Sequence, residues 1–134
     1  MNKLKNVLIT GHRKCGTTLL LNLLDNHSKL SCYPWDICVL YAYYPHFIKK
    51  EQNVSKLKER LFKIICEHFE LKVKKFKLNL DSKVFTNNFL NNLDKIDVLN
   101  IKSVVNTLKK TWIDFAGDEI KSKFIFKETS ADIY

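Results

Sequence analysis

Glycine, lysine and threonine residues near the N-terminus have the spacing of an anion-binding loop. Gly11 ends a short β-branched run, Lys14 adds a positive charge, and Gly16-Thr17-Thr18 opens a leucine-rich stretch. A glycine-bounded loop between a strand and a helix lets backbone N–H groups at the helix N-terminus surround a phosphate. Gly16 lets an anion approach the backbone, and the two threonines add hydroxyl donors. Residues 11–18 are therefore predicted to form a phosphate-binding loop.

The spacing differs from that of the nucleotide triphosphatase loop, which reads G-x-x-x-x-G-K-[ST]. Gly11 and Gly16 keep the glycine spacing, but Thr17 stands where that loop has lysine, and Lys14 lies two positions before the second glycine. The apolar run 124–126 is followed by Lys127 and not by an acidic residue. Both departures argue against a P-loop kinase or other triphosphatase, which remains an alternative interpretation. A second alternative is a non-catalytic module built on the same strand–loop–helix fold.

The run from Gly11 to Leu19, GHRKCGTTL, resembles the 5′-phosphosulfate loop of the sulfotransferases that use 3′-phosphoadenosine 5′-phosphosulfate (PAPS). That loop typically reads G-x-P-[KR]-S-G-T-T-L. Arg13 stands at the usual proline, where it adds positive charge, and Cys15 stands at the usual serine, where it offers a weaker donor. The stretch 23–27, LLDNH, is similar to the LLDAHP that often closes the family's first helix.

A second element near the C-terminal end also resembles this family. Trp112 to Thr129 is similar to a tryptophan-containing helix end followed by a strand that ends in KTP, with Ser130 at the proline position. The family holds the donor's 3′-phosphate with an arginine and a serine that follow this element. Because the sequence ends at Tyr134, we expect an incomplete domain that lacks the 3′-phosphate-binding half.

The resemblance implies an activity and a set of site residues. The activity is transfer of a sulfuryl group from PAPS to a hydroxyl or amine of a small-molecule, carbohydrate or peptide acceptor, with no metal ion. Lys14 would stabilise the donor's bridging oxygen as the bond breaks. The residues that would bind the donor's 5′-phosphosulfate are His12, Arg13, Lys14, Cys15, Gly16, Thr17 and Thr18.

An acceptor hydroxyl also needs a general base. Asp36 is the predicted base, because its sequence position is close to that of a glutamate that some family members carry after the first βα unit. The alternative is that Asp36 caps a helix over residues 37–44. His12 is interpreted as a packed loop residue more readily than as a catalyst. Lys127 and Glu128 end a strand at the edge where ligands bind in open α/β sheets, and side-chain alternation lets at most one face the site.

Composition favours one globular domain. The chain has 134 residues, of which 46% are hydrophobic and 12% aromatic. Its net charge of +9 comes largely from lysines on the polar sides of predicted helices. We therefore interpret the charge as a solvated surface, with a basic patch for an anionic partner as the alternative, and we expect no nucleic-acid partner.

Cysteine usage and hydropathy bear on location. The four cysteines form no C-x-x-C pair and are interpreted as reduced thiols, although their even number permits disulfides. No apolar run is long enough to span a bilayer, and no signal peptide is recognisable. A cytoplasmic location is predicted, with a Golgi location as the alternative if an N-terminal anchor is missing from this sequence.

The predicted fold is α/β, with a parallel sheet that pairs strands 5–10 and 123–128 and a large helical middle. A helix over 16–26 is expected to be largely buried, because leucines lie on nearly all its sides. An unpaired, apolar sheet edge would favour self-association. The other predicted elements are a strand over 30–33 stopped by Pro34, a short helix over 36–44, an amphipathic helix over 54–78 with a break near Leu71, one around 85–96, and one over 101–115 between Asn100 as N-cap and Gly117 as stop.

Overall fold

A computed structural model describes residues 5–12, 14–45, 49–117 and 121–129. Over these residues the mixed α/β class predicted from the sequence is confirmed. In chain order the elements are β1 (Lys5–Ile9), α1 (Thr17–Leu24), β2 (Leu30–Asp36), α2 (Val39–Tyr43), α3 (Val54–Leu61), a π-helical segment (Phe62–Glu67), α4 (His68–Lys75), α5 (Ser82–Asp94), α6 (Ile101–Ala116) and β3 (Lys123–Lys127).

The three strands form a parallel sheet in the order β1-β3-β2. The last strand is therefore central and lies beside the first, with Val7 opposite Ile125, as predicted. The apolar run 124–126 is buried on both faces, as expected of a central parallel strand. Parallel pairing brings the carboxyl ends of all three strands to one edge, next to the loop that follows β1.

Helices cover both faces of the sheet. On one face α1 packs Leu21 against Ile9, Cys32 and Ile125. On the other face lies the larger core, to which α2 to α6 contribute and in which the rings of Phe69 and Phe85 stack 4.0 Å apart.

Helix α1 is much more exposed than predicted. Only its stripe of Thr17, Leu21 and Leu24, spaced four and three residues apart, faces the sheet. Leu19 and Leu23 are 64% and 72% exposed. The expectation of a largely buried helix was wrong, because the sheet covers one side of α1 and no other described element covers the opposite side.

Strand β2 continues through Pro34 to Asp36, so the predicted stop at Pro34 was wrong. The register with β3 shifts between Cys32 and Asp36, and a proline is tolerated at such an irregularity because no ladder N–H is needed there. The helix predicted over 36–44 starts only at Val39, because Cys38 has a left-handed backbone with φ 47°.

Helix α3, the π-helical segment and α4 run without interruption from Val54 to Lys75. The predicted break near Leu71 is absent, and a register change occurs instead over Phe62–Glu67. The apolar residues that recur every four positions are buried: Leu57, Leu61, Ile65, Phe69 and Val73. Phe76 follows the helix end and is 53% exposed.

Helix α6 begins and ends as the sequence predicts. The Asn100 side chain accepts a hydrogen bond from the Ser103 N–H, and the Ser103 hydroxyl accepts one from the Asn100 N–H, which forms a capping box. Gly117 ends the helix with φ 71°. Within the described residues, none of the helices has the length and hydropathy needed to cross a bilayer.

Candidate functional site

The loop between β1 and α1 contains two left-handed residues. Lys14 has φ 65° and Gly16 has φ 89°, and the Cys15 N–H between them donates to the His12 carbonyl at 3.2 Å. A side chain at Gly16 would meet nothing within 4 Å, so glycine is required there for its backbone conformation and not for lack of space. The backbone at Gly16 is therefore open, as an approaching anion requires.

Gly11 is required for a different reason. A Cβ atom at this position would lie 2.7 Å from Cys15 Sγ and 3.3 Å from Thr17 Cγ2. The loop thus folds back over Gly11, and the Cys15 side chain fills the space above it. The loop and the end of β1 are therefore in close contact at Gly11.

The N-terminus of α1 has no cap of its own. Gly16 occupies the N-cap position, where it has no side chain to accept from the first N–H groups, and the first turn carries no acidic residue. The first N–H groups of a helix lack intrahelical partners, and the helix dipole places partial positive charge there. This end of α1, with Thr17 and Thr18 in its first turn, is suited to bind an anion.

Lys127, at the end of β3, lies against this helix N-terminus. Its Nζ donates to Thr18 Oγ1 at 2.8 Å and lies 2.8 Å from Asp36 Oδ2. Only 6% of the Lys127 side chain is exposed. The other carboxylate oxygen of Asp36 accepts from the Thr129 N–H at 2.9 Å. One buried cation thus joins the loop helix to the carboxyl ends of β2 and β3.

Glu128 points to the other side, as side-chain alternation predicts. Its Oε2 accepts from the Leu40 N–H in the first turn of α2 at 3.3 Å. Glu128, and not Asp36, therefore satisfies an N–H group at the start of this helix. The interpretation of Asp36 as a cap of residues 37–44 was wrong, because Asp36 is the last residue of β2 and both its oxygens bind groups on and after β3.

Backbone contacts fix the strand ends relative to one another. The Glu128 N–H donates to the Ile9 carbonyl at 3.1 Å, and Thr10 Oγ1 donates to the Glu128 carbonyl at the same distance. The Ile37 N–H donates to the Lys127 carbonyl at 3.0 Å. These bonds hold Lys127 and Asp36 in place on rigid elements, which is what a preorganised site requires.

A cavity of about 630 Å³ opens beside this cluster. Thr18, Asp36 and Lys127 line it together with two polar residues of α4, His68 and Lys72. Burial lowers the pKa of His68 below its ordinary value, and the nearby charge of Lys72 lowers it further, while Asp36 acts in the opposite direction. His68 is therefore neutral near pH 7 and can accept a hydrogen bond or a proton.

The structure brings together only some of the residues predicted for the site. Thr18 and Asp36 meet through Lys127, and Gly16 and Thr17 stand at the same helix end. The other loop residues that the structure describes are exposed along the loop: His12, Lys14 and Cys15. Arg13 lies outside the described residues.

His68 and Lys72 were missed because nothing in their local sequence marks them. They interrupt the apolar pattern of an amphipathic helix four residues apart, as many solvent-facing residues do. Only the packing of α4 beside the ends of the strands places them in the cavity.

Within the described ranges, no group of three histidine, cysteine or acidic residues is placed to hold a metal ion. The cysteines, all four of them described, form no disulfide. Burial raises the pKa of the Cys66 thiol to about 12, which leaves it unreactive at neutral pH.

Searches of protein-family models, of curated proteins and of solved structures find no match to this chain. Function is therefore inferred from the residues of the site and from the resemblance of the loop motif.

Proposed function

We propose that this protein transfers a sulfuryl group from PAPS to a hydroxyl or amine acceptor, with residues 11–18 holding the 5′-phosphosulfate. One observation supports this most. Lys127 brings a buried positive charge and the Asp36 carboxylate to the uncapped N-terminus of α1, beside a cavity large enough for an acceptor. The proposed anion site at the N-terminus of α1, the Lys127 ammonium group and the Asp36 carboxylate, which can accept a proton, thus lie next to one another.

The residues of the loop fit the 5′ end of such a donor, which supplies the activated sulfuryl group when bound. The N–H groups of Thr17 and Thr18 lie in the first turn of α1, where no side chain from the N-cap position competes for them. Thr18 accepts from Lys127, so its own hydroxyl hydrogen is available to donate to an anion.

Two lysines divide the electrostatic work. Lys14, exposed on the loop, carries the charge that stabilises the leaving oxygen. Lys127 is paired with Asp36 and donates to Thr18, so it holds the first turn of α1 and its N–H groups in place. Preorganised charges of this kind stabilise a transition state because they do not reorient during the reaction.

Asp36 is the proposed general base, since it lines the cavity and pairs with Lys127, which also binds Thr18. His68 is the rival, because its lowered pKa keeps it neutral and because it lines the same cavity. Asp36→Asn keeps the size of the side chain, and His68→Gln keeps a hydrogen-bonding group. The variant that lowers kcat at saturating acceptor, and that removes the acidic limb of the pH–rate profile, identifies the base.

The test of the function is PAPS turnover with a panel of hydroxyl and amine acceptors. Lys14→Ala is expected to lower kcat about 10²–10³-fold while weakening donor binding less. Lys29→Ala removes a lysine from an exposed position outside the loop and is expected to change neither kcat nor donor binding. Unchanged turnover in Lys14→Ala would refute its role, and magnesium-dependent hydrolysis of ATP in place of sulfuryl transfer would refute the proposed function.

On this proposal the protein acts in the cytoplasm on a small-molecule, carbohydrate or peptide acceptor, without a nucleic-acid partner. The lysines support this only indirectly. Several form ion pairs along exposed helix faces, such as Lys74 with Glu70 and Lys63 with Glu59, as solvated surface lysines do.

A further inference from the structure

The cavity beside the loop joins a polar region to apolar walls. Thr18, Asp36 and Lys127 form the polar region, and Trp35 and Phe76 belong to the apolar walls. Phe76 is 53% exposed although it is a large apolar side chain. An apolar surface open to solvent inside a cavity is suited to a ligand with an apolar body.

Helix α4 adds a regular series of groups to this cavity. His68 and Lys72 lie four residues apart on one face of the helix, and Phe76, four residues further, follows directly after its end. One such step corresponds to a rise of about 6 Å. His68 and Lys72 both line the cavity, and the Asp36 charge acts on the pKa of His68.

The charges in the cavity do not balance. Lys127 and Asp36 neutralise each other at 2.8 Å, and His68 is neutral near pH 7. Lys72 has no carboxylate partner among the described residues, and its Nζ lies 5.7 Å from the centre of the Phe76 ring. The cavity thus carries one uncompensated positive charge beside an aromatic face.

We propose that the cavity binds an acceptor that is itself an anion. Its hydroxyl lies between Asp36 and His68, its flat apolar body packs against Trp35 and Phe76, and its carboxylate, phosphate or sulfate is held by Lys72. The rise of about 6 Å from His68 to Lys72 along the helix is of the same order as the length of a para-substituted benzene ring. This inference rests on the proposed function and names the acceptor class for the same site.

The test uses 4-hydroxybenzoate and its neutral analogue 4-hydroxybenzamide, added to the 134-residue protein without any donor. Binding is followed through the indole N–H signals in a nitrogen-15 NMR spectrum. The chain has two tryptophans, Trp35 in the cavity wall and Trp112 among the core rings, and Trp35→Phe assigns the two signals. We expect 4-hydroxybenzoate to move the Trp35 signal and to leave that of Trp112 in place.

The role of Lys72 is tested by removing its charge. Lys72→Met is expected to weaken 4-hydroxybenzoate binding roughly five- to tenfold, to the level of 4-hydroxybenzamide on the unaltered protein. Lys110→Met removes an exposed lysine from α6, which contributes no residue to this cavity, and is expected to leave binding unchanged. If Lys72→Met does not fold, the affinities of the unaltered protein for the charged and the neutral compound still decide whether the cavity prefers an anion.

Equal affinity for the charged and neutral compounds would overturn the assignment of Lys72, and an unmoved Trp35 signal would overturn the acceptor site itself. Neither result bears on the loop, whose response to adenosine 3′,5′-bisphosphate is measured at the amides of residues 16–18 in a separate titration. Failure of the acceptor inference is thereby distinguishable from failure of the proposed function.

Discussion

The Lys127 ammonium group donates to the Thr18 hydroxyl at 2.8 Å, across 109 residues of sequence. This contact joins the end of the central strand to the first turn of the helix that follows the loop. Because Lys127 also pairs with Asp36, the same buried cation holds together the first turn of α1 and the carboxyl ends of β2 and β3.

Lys127→Met is expected to lower the free energy of unfolding by about 2–3 kcal/mol, because it leaves the half-buried Asp36 carboxylate without its counter-charge. Lys123→Met removes an exposed lysine from the same strand and is expected to change stability by less than about 0.5 kcal/mol. Denaturant unfolding of both variants makes the comparison. Equal stabilities would show that the ion pair does not hold the strand ends together.

The two glycines with a left-handed backbone, Gly16 and Gly117, give a prediction in which Gly117 serves as the control. Gly16→Ala and Gly117→Ala each place a side chain on a left-handed backbone, at φ 89° and 71°, with no steric contact within 4 Å. Each is expected to cost about 1 kcal/mol of stability. Only Gly16→Ala should also weaken binding of adenosine 3′,5′-bisphosphate, which calorimetry measures. An equal loss of binding in Gly117→Ala would contradict a specific role for Gly16.

The titration of His68 tests the electrostatics of the cavity. Lys72→Met is expected to raise the pKa of His68, and Asp36→Asn to lower it, since the two charges act on it in opposite directions. NMR of the ring carbon-bound protons measures both changes. Because the folded-state pKa lies below the unfolded value of about 6.5, the folded protein binds fewer protons, and stability falls as the pH drops below that value. A pKa unaffected by either substitution would place both charges too far away to matter.

The sequence allowed the ends of α6 to be predicted because their signal is local. Asn100 and Gly117 bound α6 as predicted, because capping depends on residues within one turn. The spacing of Gly11 and Gly16 likewise predicted a loop between β1 and α1. The contacts of Asp36 could not be predicted, because its partners Lys127 and Thr129 lie more than ninety residues away and become neighbours only through the strand order β1-β3-β2.

The exposure of α1 shows a second limit of sequence-based prediction. Its leucines indicate burial but do not indicate which of them the sheet covers. The structure buries Leu21 and leaves Leu19 and Leu23 open. For the same reason His68 and Lys72 could not be identified as cavity residues, since a helical pattern does not tell which neighbour its polar side faces.

This exposed leucine face gives a further prediction, that the protein associates with a second copy through α1. Helix α1 contains no charged residue, whereas the whole protein carries a net charge of +9, so repulsion between copies is weakest at this face. Leu19→Gln combined with Leu23→Gln is expected to reduce association in sedimentation velocity. Leu71→Gln, at an equally exposed leucine on α4, should have no effect. An unaltered protein that stays monomeric at every concentration would contradict the prediction.

The central claim is that residues 11–18 bind the 5′ end of a PAPS-type nucleotide, and nitrogen-15 NMR of the backbone amides tests it most directly, because it detects weak as well as tight binding. Adenosine 3′,5′-bisphosphate is titrated without magnesium, with adenosine as the control that lacks phosphate. The account predicts that the amide signals of Gly16, Thr17 and Thr18 shift most with the bisphosphate and stay in place with adenosine. Shifts that are absent, that lie away from this helix N-terminus, or that occur only with magnesium and ATP would contradict it.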